Sequence, residues 1–206
     1  MLYGPSGTGK TAYVETIAKK FNLKLIIVRA SDILNSYVGE TEQNIKKVFE
    51  QAKNGNAILL IDEADSFLHA RGNSVNRHED RKVNEFLVQM ERFPGILFCN
   101  TNMKEALDSA TNRRFNLQIG FNPLKKEGVE LLCKKYFEDF EFSESQINQI
   151  FDSGEITGGD FNALFGKLRF TDPEEIDSET IKTELINIVK NKKSSFGNTN
   201  KIGFFA

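Results

Sequence analysis

The sequence predicts an α/β fold, a parallel sheet with helices on its faces, followed by a small all-helical part. Three observations carry this. Short apolar runs alternate with helix-period stretches through the first 122 residues. The strongest run, 57–61, is apolar at every position and ends in acidic residues. The pattern changes at Asn122-Pro123, after which only helical periodicity remains.

The elements follow in order. A glycine-rich loop at 4–11 leads into a helix that packs through Ala12, Ile17, Ala18 and Phe21. Residues 23–28 read as a strand. Ile45, Val48, Phe49 and Ala52 fall at i, i+3, i+4 and i+7, one face of a helix. Residues 57–61, between Asn54-Gly55-Asn56 and Asp62, read as a strand buried on both faces. The polar segment 69–80 reads as a loop, and its His69 and His78 lack a third metal ligand. Val83, Phe86, Leu87 and Met90 repeat the helical spacing. Residues 96–99 form a third strand and 115–121 a weaker fourth. Beyond the boundary, three apolar stripes appear: Val129, Leu132, Cys133, Tyr136 and Phe137; then Phe161, Leu164, Phe165 and Leu168; then Ile181, Leu185, Ile188 and Val189. Ser143 with Gln146 fits a capping box. The acidic stretch 172–179 reads as a solvated loop and helix start, and 191–203 as a flexible tail whose Ile202, Phe204 and Phe205 could dock. The expected domains are thus 1–122, 123–190 and a tail, 191–206.

Composition narrows the function. The chain has 206 residues, enough for one or two domains, with 39% hydrophobic and 27% charged residues. Its 18 Phe and no Trp make the aromatic core a phenylalanine one. The 27 basic and 29 acidic residues leave a net charge of −2, which argues against nucleic acid as the main partner. Cys99 and Cys133 make neither a disulfide framework nor a zinc pattern, which fits a reducing, cytoplasmic setting. No apolar run approaches the ~20 residues of a membrane span. Met1-Leu2-Tyr3 runs straight into the glycine loop, so no signal peptide is expected.

Two motifs carry chemistry. Gly4-Pro5-Ser6-Gly7-Thr8-Gly9-Lys10-Thr11 matches G-x-x-x-x-G-K-[ST], a phosphate-cradling loop. Its backbone N–H groups and the N-terminus of the following helix favour an anion. Lys10 can reach the β- and γ-phosphates of ATP, and the Thr11 hydroxyl can ligate Mg²⁺. Asp62-Glu63-Ala64-Asp65 follows the buried strand, at the sheet edge where α/β proteins bind ligands. Asp62 is placed to hold Mg²⁺ directly or through water, and Glu63 to polarise the attacking water. Asp65 suits a helix cap. Asp-Glu-Ala-Asp also occurs in RNA helicases, but such a helicase needs two α/β lobes and this chain has room for one.

Phe98-Cys99-Asn100-Thr101-Asn102, with Leu107-Asp108-Ser109-Ala110-Thr111-Asn112-Arg113-Arg114-Phe115, resembles the AAA+ ATPases of the classical, protein-remodelling branch. The likeness covers residues 1 to about 170, with four motifs in the family's order. It implies a P-loop NTPase parallel sheet followed by a small all-α lid. It makes Asn102 the first sensor, orienting the water with Glu63. Arg113 and Arg114 resemble arginine fingers, which act on a neighbouring subunit's nucleotide and so require a ring, a homo-hexamer in this family. Such a finger is worth roughly 10³–10⁵ in turnover. Ser36-Tyr37-Val38-Gly39-Glu40 resembles a central pore loop, in which Tyr37 and Val38 grip an extended polypeptide. Gly159, in Thr157-Gly158-Gly159-Asp160-Phe161, resembles the lid's contact to the nucleotide, while Asp160 serves either there or as a helix N-cap.

The family places a central strand before the phosphate loop, and here only three residues precede Gly4. The chain therefore reads as truncated before that loop, with weakened nucleotide binding and an exposed strand edge expected. The expected activity is ATP-driven remodelling of a protein substrate through a ring pore. The alternatives are a non-hydrolysing, nucleotide-gated scaffold and, less well supported, a nucleic-acid motor.

Overall fold

The computed structural model describes residues 1–34, 40–65, 77–102 and 113–197, without the side chains of 77–80 and 193–197. The chain divides into two compact units: Met1–Pro5 with Gly9–Asn122, and Ser6–Thr8 with the segment from Pro123 onward.

The first unit is a five-stranded parallel sheet with helices. Its elements are β1 (Leu2–Tyr3), α1 (Lys10–Lys20), β2 (Lys24–Arg29), α2 (Ala30–Leu34), α3 (Glu40–Asn54), β3 (Ala57–Asp62), α4 (Arg77–Arg92), β4 (Leu97–Thr101) and β5 (Ile119–Gly120). The strand order is β2-β3-β4-β1-β5. The apolar run 57–61 behaves as a strand covered on both faces. Leu59 and Ile61 join Ile45, Phe49, Phe86 and Cys99 on one side. Ile58 and Leu60 join Leu2, Val14 and Ala18 on the other. The two-residue alternation of a strand thus feeds two cores from one continuous run. Phe49 meets Phe86 and Phe93 edge-on, at centroid distances of 6.0 and 5.5 Å.

Two expectations for this unit change. Of residues 115–121, Ile119 and Gly120 form the strand, in register with Leu2 and Tyr3 of β1. Within 69–80, helix α4 already begins at Arg77. The short β1 nevertheless occupies the middle of the sheet, with Leu2 opposite Asn100 and Ile119, and Tyr3 opposite Thr101 and Gly120. The Met1 amino group donates to the Leu117 carbonyl at 2.8 Å.

The second unit is helical: α5 (Lys126–Tyr136), α6 (Glu144–Asp152), α7 (Gly158–Leu168), a 3₁₀ turn (Pro173–Glu175) and α8 (Ser178–Gly197). The predicted stripes converge on one core, with Val129, Cys133, Ile150, Phe161, Leu164, Ile181 and Leu185 at its centre. Phe165 lies at its margin, 44% exposed, with its ring 5.6 Å from that of Tyr136. The capping box forms as the spacing predicts: Gln146 N–H donates to Ser143 Oγ at 3.3 Å, and Ser143 N–H to Gln146 Oε1 at 2.9 Å. Residues 191–197 extend α8 instead of opening a tail. Each further residue of a formed helix adds a backbone hydrogen bond without a new nucleation cost, and Lys192 is held by an ion pair to Asp160. Both cysteines are free and buried, and burial pushes each thiol up to about 12. Among the described residues no helix is long and apolar enough to cross a membrane.

Candidate active site

The loop after β1 turns on glycines with positive φ: 139° at Gly4, 77° at Gly7 and 94° at Gly9. Gly4 is confined twice. Its φ strains any L side chain, and a Cβ there would lie 2.0 Å from the Phe121 carbonyl oxygen. Gly4→Ala is therefore expected to destabilise the fold by about 3 kcal/mol, read as a lower urea midpoint at constant slope. An unchanged midpoint would show that this turn does not need glycine.

Gly9 ends the loop and α1 begins at Lys10, so Lys10 and Thr11 sit in the first helical turn. Lys10 is buried, with 8% of its surface exposed. Its ammonium donates to the Gly4 and Pro5 carbonyls at 2.6 and 3.0 Å and to Asn102 Oδ1 at 2.9 Å. Burial lowers its pKa from the ordinary lysine range, and the carboxylates of Asp62 and Asp65 oppose that shift. Thr11 Oγ1 donates to Asp62 Oδ2 at 3.1 Å. The loop and the acidic strand end, 51 residues apart in sequence, thus meet at the carboxyl edge of the sheet.

Asp62 closes β3 opposite Arg29, and its Oδ1 accepts the Glu63 N–H at 3.0 Å. Glu63 is exposed and holds a φ of 55°, a left-handed conformation uncommon for a residue with a side chain. The next residue ties the turn down, because Ala64 N–H donates to the Asn100 carbonyl at 2.8 Å. Asn102 follows β4 and touches the site through Lys10.

Sequence reasoning missed Asn100. Its side chain is 1% exposed, and its Nδ2 donates to Thr11 Oγ1 at 3.1 Å. The available signal was an amide in line with an apolar strand, where a core side chain is the norm. Arg113 is exposed, whereas Arg114 is half-buried and paired with Glu91 of its own chain. Tyr37, Val38 and residues 107–112 lie outside the described residues.

Within the second unit, Ser6–Thr8 adjoin the start of α7. Gly159 N–H donates to the Gly7 carbonyl at 2.9 Å, and a Cβ on Gly159 would lie 2.8 Å from Gly7 Cα. Asp160 is not the N-cap. It is the third helical residue, and its Oδ2 accepts the N–H and O–H of Thr157 at 2.8 and 2.9 Å.

The donor set at Thr11 and Asp62, a hydroxyl and a carboxylate in contact, fits Mg²⁺, which takes one or two protein oxygens and fills its shell with phosphates and water. Among the described residues no group of His, Cys, Asp and Glu forms a separate metal cluster.

The family model described as "ATPase family associated with various cellular activities (AAA)" matches residues 1–123. The "Cell division cycle protein 48 homolog" of Archaeoglobus fulgidus is 31% identical over 211 residues, 95% of this chain and 29% of its own length. The "Peroxisomal ATPase pex6" of Schizosaccharomyces pombe is 31% identical over 180 residues, 80% of this chain and 19% of its own. The chain therefore spans less than a third of either relative. In fold it is similar to the FIGL-1 AAA domain in complex with ADP, at a TM-score of 0.69 and 22% identity, over 99% of this chain and 78% of that one.

Proposed function

Because the chain belongs to the AAA family of ATPases, we propose that it binds Mg²⁺–ATP on the 4–11 loop and hydrolyses it with Glu63 as the base. The observation that carries this reading is the meeting of Lys10, Thr11, Asp62 and Asn102 at one edge of a parallel sheet. Lys10 is a buried cation whose three hydrogen-bond partners are all neutral, and a phosphate oxygen is a stronger partner than any of them. Nucleotide binding then exchanges the Gly4 and Pro5 carbonyls for phosphate. Asn102 and Glu63 orient the attacking water, and Glu63 accepts its proton. Bound Mg²⁺ offsets the negative charge of the phosphates, with Thr11 and Asp62 to hold it.

Similarity to a cell division cycle protein 48 homolog and a peroxisomal ATPase supports a wider role. In it, a homo-hexameric ring works on a protein substrate, Tyr37 and Val38 line the pore, and Arg113 reaches the neighbouring site. The buried, unpaired thiols suit a reducing, cytoplasmic setting.

Calorimetric titration with ADP and ATP, beside an assay of phosphate release, tests the reading. Micromolar binding that needs Mg²⁺, followed by release, is expected. No binding of either nucleotide would overturn it. The pairing of Arg114 with Glu91 favours a second reading, a nucleotide-gated scaffold, because it draws one arginine of the pair into its own chain. Binding without phosphate release would select that reading.

A further inference from the structure

We propose that Asn100 is a positioning residue, which orients the Thr11 hydroxyl so that one oxygen lone pair stays free for Mg²⁺. The inference rests on the nucleotide site proposed above.

A threonine hydroxyl has one proton and two lone pairs. The Thr11 proton goes to Asp62 Oδ2, with 3.1 Å between the oxygens. Because that single proton is spent, any further contact to Thr11 must be donated to it. Asn100 Nδ2 makes such a contact, also at 3.1 Å. This fixes the amide orientation: turned over, Asn100 Oδ1 would compete with Asp62 for the same proton. With one lone pair occupied by Asn100, one remains. The hydroxyl can no longer rotate about its Cβ–Oγ bond without breaking a contact.

The rest of the residue has the marks of a functional polar group. Asn100 sits at the centre of the sheet, opposite Leu2, and is 1% exposed. Its Oδ1 is buried and has no hydrogen-bond partner. An apolar side chain would avoid that unmet acceptor. The amide therefore costs stability at its oxygen end while serving Thr11 at its nitrogen end.

The test measures binding of the ATP analogue adenylyl-imidodiphosphate by the full chain, in Mg²⁺ and in EDTA. Asn100→Ala and Asn100→Leu are both compared with the unmodified chain. The affinity gained from Mg²⁺ is expected to fall about 3- to 10-fold in both variants, the worth of one hydrogen bond, with affinity in EDTA held within about twofold. Asn100→Leu keeps the branched heavy-atom outline of the side chain and removes the unmet oxygen, so its thermal midpoint should equal or exceed that of the unmodified chain. An unchanged Mg²⁺ gain, an equal fall in both buffers, or loss of the fold in both variants would assign Asn100 to packing alone and overturn the proposal. An unmodified chain that binds the analogue equally with and without Mg²⁺ would instead remove the metal role of Thr11 and Asp62, and the role of Asn100 with it.

Discussion

Lys10→Ala is expected to weaken ADP and ATP binding by about 10²–10³-fold while leaving the chain folded. The ammonium is buried in the first turn of α1, and burial already lowers its pKa. A desolvated cation whose hydrogen bonds go to two carbonyls and an amide oxygen, with Asp62 and Asp65 offsetting only part of the burial cost, is under-compensated, and an arriving phosphate supplies further negative charge. Removing one member of a hydrogen-bonded charge pair costs about 3–4 kcal/mol, which converts to the stated loss. The fold should survive because Pro5 and Asn102 are exposed, so water can satisfy the acceptors that Lys10 leaves. Calorimetric titration beside a thermal melt separates the two effects. Affinity unchanged in a folded variant would remove the loop from the nucleotide site.

Glu63→Gln should leave nucleotide affinity nearly intact and cut turnover by about 10²–10⁴-fold, the usual worth of a general base. The two side chains have the same shape, and what changes is the capacity to accept a proton. Glu63 is exposed, and its backbone is held from both sides, by Asp62 Oδ1 and by the bond from Ala64 to Asn100. The left-handed turn is thus fixed by neighbours rather than by the carboxylate, so glutamine can occupy it without moving Asp62. Phosphate release under single-turnover conditions is the measurement. Turnover within about twofold of the unmodified chain would transfer the role of base to another group.

Much of the first unit was legible in the sequence because local rules governed it. A five-residue apolar run can persist only where both sheet faces are covered, and residues 57–61 are covered on both. The spacing of Ile45, Val48, Phe49 and Ala52 named the inward face of α3: Val48 is partly buried against the core and the other three are buried. Where pairing is decided by a distant partner, sequence failed: 115–121 has strand chemistry, but only Ile119 and Gly120 lie in register with β1. It failed again at the end of α8, where Asn, Lys and Ser read as a tail although helix continues to Gly197. Polarity reports exposure, and an exposed helix is as polar as a loop.

The sequence by itself determined the chemistry available to this protein: a phosphate loop at 4–11, an acidic strand end at Asp62 and Glu63, and the family that joins them. Each is contiguous, so each is written in local spacing. The tertiary structure decided which side chains share a hydrogen bond across the sheet. It drew Asn102 onto Lys10, paired Arg114 with Glu91, and brought Asn100 across 89 positions to the Thr11 hydroxyl, which joins both motifs. No periodicity encodes such contacts, because they arise from the order in which parallel strands are laid side by side.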